Sequence, residues 1–220
     1  MEGTNTVIKK ELRYLLHRRK HLGIVGIFIL AFLVISSLEL KELGPLFIGP
    51  VVLFVTLWTF LMLTLKSEQV NNTVNFLMAS PLSFREVFFG KIAPTFILAY
   101  SAELFSFGVG SAVLWFSSAK LLAPSMNLLV LIVIPIWTWV IAELLALSYM
   151  LFGSPLIAQV FGVAFMMLFI NFSTVASVDF LVSSPTLLSF LGLAVIVLSY
   201  YLLGRLDREW VVKRWKHSGS

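Results

Sequence analysis

Six long apolar runs dominate this sequence of 220 residues. A helix that crosses a lipid bilayer needs roughly 20 mostly apolar residues, because each residue advances the helix by about 1.5 Å. Runs that approach or meet this requirement cover residues 22–38, 46–65, 89–117, 127–151, 155–176 and 185–203. The sequence therefore predicts an all-α membrane protein with six transmembrane helices.

The composition excludes an ordinary soluble domain. Hydrophobic residues make up 59% of the chain and charged residues only 12%, whereas soluble domains are typically about a quarter charged. Cysteine is absent, so the chain has no disulfide and no thiolate ligand or nucleophile. The first apolar run follows a basic segment, as a signal peptide would, but "VISSLEL" is a poor cleavage site. We therefore interpret this run as a retained helix.

The positive charges are distributed unevenly among the predicted loops. Of the 16 Lys and Arg residues, only Lys41 and Lys120 fall outside the two tails and the 66–91 loop. Because cytoplasmic loops collect Lys and Arg, this asymmetry predicts a plasma-membrane protein with both termini in the cytoplasm. It also accounts for the formal charge of +5 without nucleic acid as a partner, since basic flanks are attracted to anionic lipid headgroups.

The two ends of the chain have their own patterns. Residues 1–21 are basic and amphipathic, which favours a helix lying in the membrane interface over a solvated tail. Residues 205–220 form a basic cytoplasmic tail. We therefore predict one transmembrane domain over 1–220, with the six-helix part at 22–204. The apolar positions of the N-terminal segment are Ile8, Leu12, Leu15 and Leu16.

The loop between the second and third apolar runs carries an ordered pattern. Residues 68–79 have apolar side chains at helical spacing and predict a short amphipathic helix. Pro81 then disfavours helix at the residue before it, so a corner is expected there. Ser83 and Glu86 have the spacing of a capping box, which predicts that the next helix begins at Ser83.

This loop resembles a signature of permease subunits in the type-2 ABC exporter family. The family pattern is an acid, a Thr five residues later, an apolar pair, a small residue with Pro, and a Gly-Lys pair that opens the third span. Asn72 stands where the family commonly has Gly. The matching residues here are Glu68, Thr73, Phe76-Leu77, Ser80-Pro81 and Gly90-Lys91.

The resemblance implies a division of labour between subunits. Segment 67–82 would be a cytoplasmic coupling helix that docks on a separate ATP-binding subunit, which would hold the ATP and Mg²⁺. Two permeases, identical or paralogous, and two ATPases would form one transporter. The alternative is an amphipathic loop that lies on lipid. The residues assigned to coupling are Glu68, Thr73, Phe76, Leu77, Pro81, Ser83, Glu86 and Lys91.

The sequence contains no motif that would make the chain itself an enzyme. It has no phosphate-binding loop, no G-x-S-x-G elbow and no H-E-x-x-H metal motif. The three histidines, His17, His21 and His217, all lie in the basic tails. We therefore expect no catalytic residue, no cofactor and no metal site in this chain, with ATP hydrolysis on the partner subunit.

Two acids lie within the predicted spans, Glu103 and Glu143. An ionisable residue inside a membrane is unfavourable and is by default a functional candidate. Each acid could line a cavity or take part in a conformational change. Alternatively, it could hold two helices together by hydrogen bonds. The partners expected from the sequence are Tyr100, Thr138, Gln159 and Asn171.

Two other interpretations stay open within the sequence. A haem-exporter permease of cytochrome c maturation resembles this chain in length, span number and loop position. A stand-alone secondary transporter or channel would instead use Glu103, but the paired broken helices or inverted repeats typical of such proteins are not visible. An intramembrane enzyme is disfavoured, because no nucleophile and base stand together.

Overall fold

The computed structural model describes residues 2–17, 44–70, 83–118, 127–152 and 185–205, together with residues 20, 23, 26, 27, 29 and 160. These parts of the chain are helical almost throughout and contain no strand. A π-helical turn at Leu129–Val133 leads directly into the fourth helix. The helices are α1 (Glu2–His17), α2 (Gly44–Val70), α3 (Phe84–Ser118), α4 (Ile134–Phe152) and α5 (Pro185–Leu203).

Four stretches of helix are long and apolar enough to cross a membrane. They correspond to the runs predicted at 46–65, 89–117, 127–151 and 185–203, so the prediction of an all-α membrane protein is confirmed at this level. The predicted spans at 22–38 and 155–176 lie largely outside the described residues. At about 1.5 Å per residue, α3 is roughly 50 Å long, which exceeds the ~30 Å hydrocarbon core.

The contact between α2 and α3 is the most extensive one among the described helices. Leu53, Leu57, Leu61 and Leu65 are fully buried and recur every fourth residue, so they form one stripe along α2. This stripe belongs to the core cluster that includes Phe88, Ile92 and Ala99 of α3. Apolar residues lie on all sides of α2, so its sequence does not show which face is buried. The packing of neighbouring helices determines this.

The π turn and α4 pack against α2, and α5 packs on them from one side. Gly192 marks the closest approach of α5, because a Cβ atom there would lie only 2.5 Å from the Ile136 side chain. The Trp137 indole N–H also donates to the Leu188 carbonyl at 3.2 Å. The rest of α5 is largely exposed and apolar, as expected for a surface that faces lipid.

One end of the bundle collects α1, the start of α3 and the end of α5. The Arg85 guanidinium lies 4.8 Å from the centre of the Tyr200 ring and also against Gly204. Val7 of α1 packs against Gly90 of α3 at the same end. The prediction that both tails and the 66–91 loop lie on the same side of the membrane requires these three parts of the chain to lie at one end of the bundle.

Pro135 is the second residue of α4 and follows a local departure from regular α-helix. Proline has no N–H, so the Leu131 carbonyl four residues earlier loses its usual intrahelical donor. The π turn at Leu129–Val133 lies immediately before this proline. The Tyr100 hydroxyl of α3 donates to the Leu131 carbonyl at 3.0 Å and so supplies the missing hydrogen bond.

Candidate functional site

The start of α3 is fixed by the capping box that the sequence predicts. The Ser83 N–H and hydroxyl both donate to Oε2 of Glu86, at 2.8 and 2.9 Å. The Glu86 N–H donates in return to the Ser83 hydroxyl oxygen at 3.3 Å. These bonds satisfy backbone donors that the first turn of a helix leaves unpaired. The position at which α3 begins is therefore determined locally.

Most residues assigned to coupling lie just before this cap. Glu68 lies in the last turn of α2, and α3 begins directly after Ser83. The structure therefore describes the end of α2 and the start of α3, which segment 71–82 joins. Most of the predicted amphipathic helix and the predicted corner lie outside the described residues. The assigned residues that lie outside the described part of the chain are Thr73, Phe76, Leu77 and Pro81.

Lys91 lies about two helical turns beyond the cap and is almost completely buried. Its Nζ donates to Oε1 of Glu11 at 3.1 Å, and its side chain is 2% exposed. Glu11 belongs to α1 and is itself largely buried. A buried charge is tolerated only when it is paired, so each residue makes the position of the other acceptable.

Gly90 allows the close approach of α1 that this ion pair needs. A Cβ atom on Gly90 would lie 2.6 Å from the Val7 side chain, which is shorter than real contacts of this kind. Val7, Glu11 and Leu15 recur at intervals of four residues and define the face of α1 that packs inward. This face differs from the predicted apolar stripe in part, because Leu16 is 49% exposed.

Glu143 is a hydrogen-bonded brace between α4 and α5. The Trp139 indole N–H donates to its Oε1 at 2.6 Å, and the Ser199 hydroxyl of α5 donates to its Oε2. Trp139 also stacks edge-on against Phe96 of α3 with ring centres 4.9 Å apart. Of the two roles that the sequence leaves open, this geometry fits the brace between helices.

Glu103 has a different environment in the middle of α3. Its side chain is 0% exposed, and neither carboxylate oxygen has a hydrogen-bond partner among the described residues. Tyr100 and Thr138, which the sequence suggested as partners, donate instead to the backbone carbonyls of Leu131 and Ile134. The other two suggested partners, Gln159 and Asn171, lie outside the described part of the chain.

A shallow apolar groove of about 320 Å³ runs along α3, the π turn and α4. Tyr100, Leu131 and Trp139 line it, so the groove lies beside both the proline-induced π turn and the Glu143 brace. Neither Glu103 nor Glu143 lines this groove. Within the described residues, no three His, Asp or Glu side chains stand close enough to hold a metal ion.

Sequence reasoning missed Glu11 as the partner of Lys91, and Trp139 with Ser199 as the partners of Glu143. Glu11 carried a usable signal, because it is an isolated acid in a strongly basic segment, four residues from apolar positions on either side. Ser199 carried none, since a serine in an apolar span is common as a packing residue.

Comparison of the chain with protein-family models, with characterised proteins and with solved structures gives no significant match. The function is therefore argued from the residues and their geometry.

Proposed function

We propose that this chain is the transmembrane permease subunit of an ABC transporter that exports its substrate. A separate subunit would bind and hydrolyse ATP with Mg²⁺, and this chain would convert the movement of that subunit into translocation. The observation that carries the proposal is the motif spacing from Glu68 to Gly90-Lys91. This spacing resembles the coupling segment of type-2 ABC exporter permeases. The motif begins in the last turn of α2 and ends in the second turn of α3.

The geometry at both ends of this segment supports a coupling role. α2 and α3 are the two helices that pack most extensively, and segment 71–82 connects them directly. The capping box gives α3 a fixed first residue immediately after the segment. A displacement of the segment would therefore be passed to a helix of 35 residues that crosses the bundle.

The Gly-Lys pair of the motif has an internal role that complements the external one. Gly90 admits Val7, and Lys91 binds Glu11, so α1 and the start of α3 are held together. Lys91 would therefore act on coupling through α1 rather than by touching the ATPase. The surface that remains for direct contact with the partner is the segment from Glu68 to Pro81.

The proposed assembly contains two permeases and two ATP-binding subunits in the plasma membrane. The second permease is either another copy of this chain or a paralogue. Both termini and the coupling segment would face the cytoplasm, where the ATPase is found, as the distribution of Lys and Arg indicates. Lipid would cover the exposed apolar side chains of α5, such as Leu187, Phe190 and Val197.

The decisive experiment is a mild-detergent purification of the tagged protein from its native membrane, followed by mass spectrometry. We expect a subunit with a phosphate-binding loop to co-purify in a one-to-one ratio. We also expect the Leu77→Asp variant to insert normally into the membrane and to lose that subunit. Leu16→Asp is the matched control, because it places the same charge on an exposed leucine of α1.

The two variants separate a failure of coupling from a failure of folding. Equal retention of the ATPase by Leu77→Asp and Leu16→Asp would contradict the assignment of segment 67–82 as the coupling helix. A purified chain that never carries an ATPase, under conditions that preserve a known ABC complex, would contradict the proposed function as a whole.

A further inference from the structure

Among the Asp, Glu, Lys, Arg and His side chains of the described residues, only Glu103 is fully buried and has neither an ion pair nor a hydrogen bond. The other two buried acids both have donors. Glu11 accepts from Lys91, and Glu143 accepts from Trp139 and Ser199. A buried polar group without a partner is rare in folded proteins and needs a physical reason.

The surroundings of Glu103 leave very little room for a ligand. A Cβ atom on Gly49 of α2 would lie 3.4 Å from Cγ of Glu103 and 3.6 Å from its Oε1. The same atom would lie 3.3 Å from Val130 in the π turn. The carboxyl group is therefore enclosed between the backbone of α2 and an apolar side chain, and the groove beside α4 does not reach it.

Among the described residues, no charged side chain forms an ion pair or a hydrogen bond with Glu103. On α2, the stretch 49–65 contains no Asp, Glu, Lys, Arg, His or Tyr. On the π turn and α4, the titratable residues are Glu143, which has its own two donors, and Tyr149. On α3 itself, Tyr100 donates its hydroxyl proton to the Leu131 carbonyl.

An ionised carboxylate in such a place has lost its water without gaining a donor, and the usual response of a protein is to keep the group neutral. The side chain of Glu103 is fully buried, and a bound proton removes its charge without requiring further space. We propose that Glu103 is a proton-binding site at the contact of α2, α3 and the π turn, occupied in the packed state and emptied when this contact opens to water.

This proposal links proton binding to the packing of α2 on α3. A proton on Glu103 favours the packed state, and packing favours retention of the proton, because the coupling between two such equilibria is reciprocal. The inference is independent of the partner ATPase. It holds for any transporter or channel in which these two helices separate.

The first test is infrared spectroscopy of the full-length protein in lipid vesicles at pH 7. A protonated carboxyl group has a C=O stretching band well above the carboxylate bands, and the band shifts down in D₂O. The spectrum of the wild type minus that of Glu103→Gln should contain this band. Glu143→Gln is the matched control and should leave the band in place.

The outcome of this test is unambiguous. A difference spectrum that contains carboxylate bands instead would overturn the proposal, because Glu103 would then be ionised in the packed protein. Gln has nearly the same shape as a neutral Glu, so the variant should fold with unchanged helix content by circular dichroism.

The second test needs no change at Glu103. Gly49→Leu would wedge α2 away from α3, admit water and convert the protonated band into carboxylate bands at the same pH. Gly108→Leu makes the same substitution on an exposed part of α3, where an added Cβ meets nothing within 4 Å, and should keep the band. Retention of the protonated band in Gly49→Leu would contradict the link between opening and proton release.

Discussion

Glu103 and Glu143 are both buried glutamates of one helix bundle, but they differ in their hydrogen bonds. Glu143 lies between α4 and α5, where an indole N–H and a serine hydroxyl both donate to its carboxylate. Glu103 lies between α3 and α2, where it meets Gly49 and an apolar side chain and has no donor among the described residues.

The neighbouring helix, and not the acid itself, therefore determines what each glutamate contacts. Trp139 and Ser199 make Glu143 part of a brace that joins two helices. The stretch 49–55 of α2 contains no polar side chain, and Glu103 has no hydrogen-bond partner among the described residues. Substitutions at Lys91, Glu143, Tyr100 and Glu103 test this comparison, and we expect their effects on stability to decrease in that order.

The pair of Lys91 with Glu11 extends the comparison to an acid with a full counter-charge. We expect Lys91→Met to destabilise the protein by about 3–5 kcal/mol, because it leaves a buried carboxylate without its partner. The free energy of unfolding would be measured by titration with a denaturing detergent in mixed micelles. The double variant Glu11→Gln/Lys91→Met should recover most of the loss. A double variant as unstable as Lys91→Met would show that packing of the lysine stem matters more than its charge.

The brace at Glu143 is tested by Glu143→Leu, which keeps the approximate volume and removes both acceptors. The Trp139 N–H and the Ser199 hydroxyl lose their bonds to the carboxylate, so we expect a loss of about 1–3 kcal/mol in the same titration. Ser199→Ala should cost part of this amount. Ser101→Ala is its control, because Ser101 is exposed and bonds only to the Ile97 carbonyl of its own helix. Equal effects of the two serine variants would argue against a brace.

The Tyr100 hydroxyl of α3 donates to the Leu131 carbonyl, which the nitrogen of Pro135 cannot pair. We expect Tyr100→Phe to cost about 1 kcal/mol, since the carbonyl then stays unpaired in an apolar place. Pro135→Ala restores a backbone N–H, so the effect of Tyr100→Phe should be smaller in the Pro135→Ala background. Additive effects of the two substitutions would contradict this explanation of the hydrogen bond.

Glu103→Leu should have the smallest effect on stability and the opposite sign from Glu143→Leu. It removes a polar group that makes no hydrogen bond with the described residues, so we expect a change between zero and about 1 kcal/mol of stabilisation. The same unfolding titration provides the measurement. A clear destabilisation would mean that the carboxyl group of Glu103 has a bonded partner and would contradict the difference between Glu103 and Glu143.

The sequence predicted the local features of this protein well. The spans at 46–65, 89–117, 127–151 and 185–203 are helices, because length and apolar character alone decide that a segment can cross a membrane. The capping box at Ser83 and Glu86 was also predicted correctly. Its partners are three residues apart, so nothing distant has to be known.

The contacts between helices could not be predicted in the same way. Lys91 and Glu11 are 80 residues apart, and Ser199 and Glu143 are 56 apart. Tyr100 was predicted as a possible hydrogen-bond partner of the buried acids, but its hydroxyl donates to a carbonyl 31 residues away. In a span that is apolar on all sides, periodicity does not show which face is buried, so the sequence gives no direction to search for a partner.

The amino-acid sequence is therefore enough to predict a helical membrane protein, the first residue of α3 and the acids inside the apolar runs. The tertiary structure was needed to show that Lys91 binds Glu11 of α1, that Glu143 joins two helices, and that Glu103 has no partner among the described residues. The physical reason is that hydrophobicity and capping act within a few residues along the chain. Hydrogen bonds and ion pairs in an apolar interior depend on which helices become neighbours and on how each is rotated.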